Sequence, residues 1–197
     1  MIRAFRILFL SLIFLASLYS LRAHAADEHH AGPYIGVGFQ RVDASVRQPA
    51  VHAKLAGSGV SFEAGIDLPF TRQFGISIAG QFSEKELKNK TLSDEYLDYT
   101  KLTSTGGRAH VFLKGVLAGG SYWRTKVDIR TVSSLDGASR AALNGKGSSI
   151  FLGYAFALNS NLRTQVEIER SRFLSPAFRY EDYSIGLKLQ ILLGSLF

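Results

Sequence analysis

The chain of 197 residues has no cysteine. This excludes disulfides, thiol catalysis and cysteine-ligated metals. Proline is nearly absent too, with four residues at Pro33, Pro49, Pro69 and Pro176. Although 23 Lys and Arg face 16 Asp and Glu, no basic tract or groove-sized cluster exists, which excludes nucleic acid as a partner. Beyond residue 25 no apolar run reaches the roughly 20 residues of a membrane helix. Entry into a membrane would therefore require a closed β-barrel, which pairs every backbone group internally.

One apolar run is present at the start. Arg3 and Arg6 precede residues 7 to 21, and Ala23-His24-Ala25 supplies small residues at a cleavage site. This is the pattern of a secretory signal peptide over residues 1–25. Its removal takes Arg3, Arg6 and Arg22, leaving 20 basic against 16 acidic residues in a mature chain. A short segment, 26–32, would then lead into a single domain over 33–197.

That domain reads as eight segments of about ten residues with period-two alternation, the signature of half-buried strands. Ile35, Val37 and Phe39 oppose Gly36, Gly38 and Gln40; Val60, Phe62, Ala64, Ile66 and Leu68 oppose Ser61, Glu63, Gly65 and Asp67. Phe74, Ile76, Ile78 and Phe82 follow in a third run, and Thr105, Ala109, Val111 and Leu113 oppose Arg108 and His110 in a fourth, with Phe112 an exception. In the fifth, Leu117, Trp123, Val127 and Ile129 are set against Gly120, Tyr122, Arg124, Lys126 and Asp128. The sixth runs over 149–158 with Phe151 out of step; the seventh opposes Leu162, Val166 and Ile168 to Arg163, Gln165, Glu167 and Glu169; the eighth opposes Tyr183, Ile185, Leu187, Leu189 and Ile191 to Ser184, Gly186, Lys188 and Gln190.

Connections alternate between short (69–73, 114–115, 159–161) and long (43–58, 84–100, 130–147, 172–181). Short periplasmic turns with longer external loops are the rule for transmembrane barrels. A soluble lipocalin-like barrel would share the alternation, but the polar face here mixes charges with many Gly and Ala. That suits the narrow lumen of eight strands better than a solvated exterior. The fold class is thus all-β, an eight-stranded antiparallel up-and-down barrel of the bacterial outer membrane.

The lumen-facing charges are expected to form an ion-pair network of Glu63, Asp67, Arg108, Arg124, Lys126, Arg163, Glu167, Glu169 and Lys188, since buried charges persist when paired. Such a network would block a continuous water channel. Tyr34, Phe39, Phe74, Phe82, Trp123, Tyr154 and Tyr183 are candidates for interfacial aromatic belts.

Tyr34-Ile35-Gly36-Val37-Gly38, the pair Gly153-Tyr154, and the stretch from Tyr183 through Leu189 to a terminal Phe197 resemble the small eight-stranded outer-membrane barrels, the family of OmpX, NspA and the OmpA transmembrane domain. The resemblance implies that Tyr183, Ile185, Leu187, Leu189, Ile191 and Phe197 act as an assembly signal for the barrel-insertion machinery. It also implies outer-membrane lipid and lipopolysaccharide as surroundings.

Some barrels of this kind resemble lipid A modifying enzymes. Here no Ser, His and acid spacing assembles a nucleophile with its base: His24 leaves with the signal, His29 and His30 precede the first strand, His110 lies near the periplasmic end, and only His52 is on the external side. His29-His30 alone do not make a metal site. No catalytic, cofactor or metal residue is therefore assigned. The external segments carry mixed charge (Glu84, Lys85, Glu86, Lys88, Lys90, Asp94, Glu95, Asp98, and Arg130, Asp136, Arg140) with Tyr96 and Tyr99, suited to a surface partner or to hydration. The expected function is a non-enzymatic envelope protein, with a lipid A modifying enzyme or a narrow pore as alternatives.

Overall fold

The computed structural model describes residues 31–47, 52–90, 99–133, 137–174 and 179–193. These form eight strands: β1 Gly32–Arg47, β2 His52–Pro69, β3 Phe74–Asn89, β4 Tyr99–Leu113, β5 Val116–Ser133, β6 Gly137–Asn159, β7 Leu162–Leu174 and β8 Arg179–Leu192. Each pairs antiparallel with its sequence neighbours, and β8 closes onto β1. The signal segment, His29, His30, Asp94, Glu95, Tyr96, Asp98, Asp136 and Phe197 lie outside the described residues.

Following paired residues once round the ring from Gly120 through Ile150, Arg170, Tyr183, Asp43, Ala56, Lys88 and Tyr99 returns to β5 at Arg130, ten residues along. For eight strands that stagger corresponds to a tilt of about 40°. The 16 residues of β1 then rise about 40 Å along the barrel axis, against an apolar band of about 25 Å in outer-membrane barrels. The strands outrun the membrane.

The polarity of their faces changes accordingly. On β1 the outward residues begin with Ile35, Val37 and Phe39 and continue with Arg41, Asp43 and Arg47, while the inward ones pass from Gly36, Gly38 and Gln40 to Val42, Ala44 and Val46. In the membrane-level half the exterior is apolar and the interior polar. Above it the arrangement reverses: Val42, Val46, Leu55, Leu87, Leu102, Val127, Phe173 and Tyr180 form an apolar core inside the barrel. Most of what alternation alone assigns to long external loops is thus continued strand, with Lys85, Glu86 and Lys88 on β3, Arg130 on β5 and Arg140 on β6.

The three short turns agree with the sequence, and local chemistry explains them. Thr71 Oγ1 accepts the Phe74 N–H at 3.0 Å, and Asn159 Oδ1 accepts the Asn161 N–H at 2.9 Å, as side chains do when they mimic a turn. Lys114 and Gly115 have φ of 49° and 83°, both positive as the tightest hairpin requires.

That turn also corrects the reading of β5. With two residues in the turn, Leu113 pairs with Val116 and both face outward. Val116, Tyr122, Arg124 and Lys126 are consequently exposed, and Leu117 and Val127 are buried inside. The apolar residues of β5 had pointed to the opposite choice because they fill the lumen's apolar zones rather than meeting lipid.

Candidate functional site

Phe112 and Leu117 close the periplasmic end of the lumen against Ala155. Both depart from the polar inner pattern yet keep its parity. Just above, Tyr34 is 1% exposed and its hydroxyl meets Ser77 Oγ at 3.0 Å. Tyr34 therefore belongs to the interior and not to an aromatic belt.

The middle of the lumen is a charged plug. Arg163 reaches Asp67 at 2.8 Å; Lys188 bridges Glu63 at 2.9 Å and Glu167 at 3.2 Å; Arg108 binds Glu167 at 2.5 Å. Arg163 Nε and Gln165 Nε2 both donate to Gln190 Oε1 at 2.7 Å, and Gln190 donates to Glu63. The Arg108 guanidinium lies 3.3 Å from the centre of the Phe151 ring, which accounts for an aromatic on the polar face of β6. Small residues make this possible: a Cβ on Gly38 would lie 2.8 Å from Lys188 Cγ and 2.5 Å from Ser61 Oγ.

Of the nine residues expected in the network, the structure brings Glu63, Asp67, Arg108, Arg163, Glu167 and Lys188 into direct ion pairs. Glu169 is buried nearby, with the Ser171 hydroxyl 3.5 Å away. Arg124 and Lys126 are excluded, because both sit on the outer face of β5. Two members were missed. Lys85 donates to Asp182 at 2.8 Å, and Tyr180 donates to the same oxygen at 2.7 Å. Lys85 continues the parity of Gln81 and Ser83, and Asp182 that of Ser184 and Lys188, so following parity past the polarity change would have found them.

Among the described residues, two small cavities of about 30 and about 10 Å³ lie in the lumen, the smaller at the level of the plug beside Gly38, Glu167 and Lys188. The larger is bordered by Lys85, Glu169 and Asp182 and roofed by Leu102, Phe173 and Tyr180. The larger has space for one or two waters and the smaller for one at most. Among the described residues, no group of three or more His, Cys, Asp or Glu could hold a metal ion. His110 packs edge-on to Phe151 at 5.8 Å inside the lumen, and His52 opens β2.

Outside, the lipid-level wall exposes Phe39, Phe74, Phe82, Tyr154 and Tyr183 as the belt reading requires, with Tyr122 in place of Trp123. Trp123 points inward, its Nε1 close over Gly147. Tyr183, Ile185, Leu187, Leu189 and Ile191 form one outward row on β8. Above the belt the wall is charged. There the hydrogen bond from Arg170 holds the Glu181 carboxyl below its usual range.

The sequence matches the family described as outer membrane protein beta-barrel domain over residues 11–190. Among solved structures, the chain is similar to Ail, the attachment invasion locus protein of Yersinia pestis, at 11% identity and a TM-score of 0.52, covering 81% of this chain and 99% of that one. It is similar to the same degree to Neisserial surface protein A, at 16% identity and a TM-score of 0.52, over 82% of this chain and 98% of the other. No curated protein matches the sequence.

Proposed function

The chain belongs to the outer membrane protein beta-barrel domain family, and on that premise we propose that it is a non-enzymatic barrel with a sealed lumen that contributes to envelope integrity. The carrying observation is the double closure of the interior: ion pairs from Glu63, Arg108, Glu167 and Lys188 fill the membrane level, and the apolar core around Leu87, Leu102 and Phe173 caps it. A plug of this kind moves any interaction to the outer wall and to the hairpins above the membrane. Those hairpins present charged strands to the exterior, and the fold shared with a protein named for attachment makes surface recognition their natural use. On β8, the outward row from Tyr183 to Ile191 is read as the assembly signal for the insertion machinery.

Planar-bilayer recording of the purified chain tests the sealed lumen. No sustained conductance is expected; stable open channels would overturn the reading in favour of a narrow pore. Mass spectra of lipid A from cells with and without the gene test the absence of acyl-chain chemistry. Identical spectra are expected, and a gained or lost acyl chain would make the protein an enzyme.

A further inference from the structure

Above the apolar belt the outer wall is uneven in charge. On β1 to β4 Lys90 is held by Asp43 and Lys101 by Glu84 at 2.7 Å, while the exposed Arg41, Arg47, Lys54 and Lys88 form no ion pair among the described residues. On β5 and β6 two bases stand directly opposite each other at the foot of this charged wall. Arg124 and Lys146 are direct cross-strand partners, both exposed, and among the described residues neither forms an ion pair. The nearby acids are already engaged, Asp128 by Lys126 and Glu181 by Arg170 and Arg172. Like charges directly opposite one another in a sheet are destabilising unless something anionic joins them.

The height of the pair identifies that anion. Tyr122 and Ser148 pair one step below, and Gly120 and Ile150 a step below that, with Ile150 67% exposed. Two residues along a strand tilted by about 40° rise about 5 Å, so the cations lie about 5 Å above the tyrosine row and about 10 Å above bare isoleucine. This is the level of lipid headgroups. Arg172 is the diagonal neighbour of Lys146 on β7, opposite Ser148, and is exposed as well.

We propose that Arg124 and Lys146, with Arg172 beside them, form a binding site for the phosphates of the phosphorylated glycolipid of the outer leaflet, lipid A. The site rests on the reading of the chain as an outer-membrane resident, and gives its contribution to envelope integrity a specific contact. A lipid phosphate fits better than a soluble polyanion because the cations project sideways from the wall at headgroup level, where neighbouring lipid stands.

The test uses the full chain in detergent and native mass spectrometry with three probes: bisphosphorylated lipid A, the same lipid dephosphorylated, and inorganic pyrophosphate. The wild type should retain bisphosphorylated lipid A. The double variant R124Q/K146Q should bind it about thirtyfold more weakly, near a factor of five per cation, and each single variant about fivefold. The charge-matched control K54Q/K88Q, on the opposite wall, should bind as the wild type does. Dephosphorylated lipid should be retained weakly by all. Undiminished retention by R124Q/K146Q overturns the site, and pyrophosphate binding as tight as lipid A overturns the lipid as its source. Heat-modifiable migration and recovery in the outer-membrane fraction are read in parallel. Their loss in the wild type would count against the outer-membrane barrel itself, whereas unchanged lipid binding with both intact counts against this site alone.

Discussion

Lys188 occupies the junction of the lumen plug, with Glu63 on one side and Glu167 on the other. Removing a buried cation leaves its carboxylates uncompensated, and this costs more than the pair contributes net. Lys188→Met should therefore destabilise the barrel by about 3 to 5 kcal/mol, read from urea unfolding in lipid vesicles. Glu63→Gln in the same chain should recover part of that loss, because one of the stranded charges is gone. A double-mutant cycle with strictly additive effects would mean that the contact between Glu63 and Lys188 carries no coupling. Gly38 shows the same economy of space. Gly38→Leu would drive a side chain into Lys188 Cγ and Ser61 Oγ, and should be at least as damaging as loss of the lysine charge.

At the scale of elements, the turn at Lys114-Gly115 sets the orientation of everything after it on β5. Gly115 has φ of 83° and a Cβ there would approach the Ala155 carbonyl oxygen at 2.8 Å. Gly115→Val should accordingly destabilise the hairpin by about 1 to 3 kcal/mol, while Lys114→Gly relieves the positive φ and should be neutral or slightly stabilising. The face assignment has its own check. Because the chain has no cysteine, Lys126→Cys and Val127→Cys can be compared on intact cells with a membrane-impermeant maleimide. Position 126 should label and 127 should not; the reverse would restore the inverted strand.

This element shows where the sequence was legible and where it was not. Strand number, short turns and the faces of every strand but β5 follow from alternation, because lipid outside and polar groups inside give each pleat an opposite partner. Strand length does not follow. At Gln40 and Arg41, as at Ser83 and Glu84, the faces exchange polarity while the backbone continues unchanged, and a reader of hydrophobicity sees an end. On β5 the inward Leu117 and Val127 belong to the two apolar zones, so polarity there reports the zone rather than the side. The site was legible in proportion: ion pairs at membrane level followed from parity, whereas Lys85 and Asp182 lie beyond the exchange.

For the whole molecule, the exchange divides one continuous barrel into two differently held halves. The lower half is held by lipid outside and ion pairs inside; the upper half stands in water and depends on an ordinary apolar core of Val42, Leu55, Leu87, Leu102, Val127 and Phe173. Truncating that core should therefore affect the upper half selectively. Leu87→Ala with Leu102→Ala should cost about 4 kcal/mol or more, at about 2 to 5 kcal/mol per buried leucine, and should loosen the strands above Gln40 without opening the plug below. Trypsin on intact cells reads this directly. In the wild type, Lys54, Lys88, Lys101 and Lys126 lie within paired strands and should resist cleavage. In the double variant they should be cut, while a membrane-embedded fragment persists and bilayer conductance stays absent. Conductance appearing together with cleavage would show that the apolar cap, and not the ion-pair plug, is what seals the barrel.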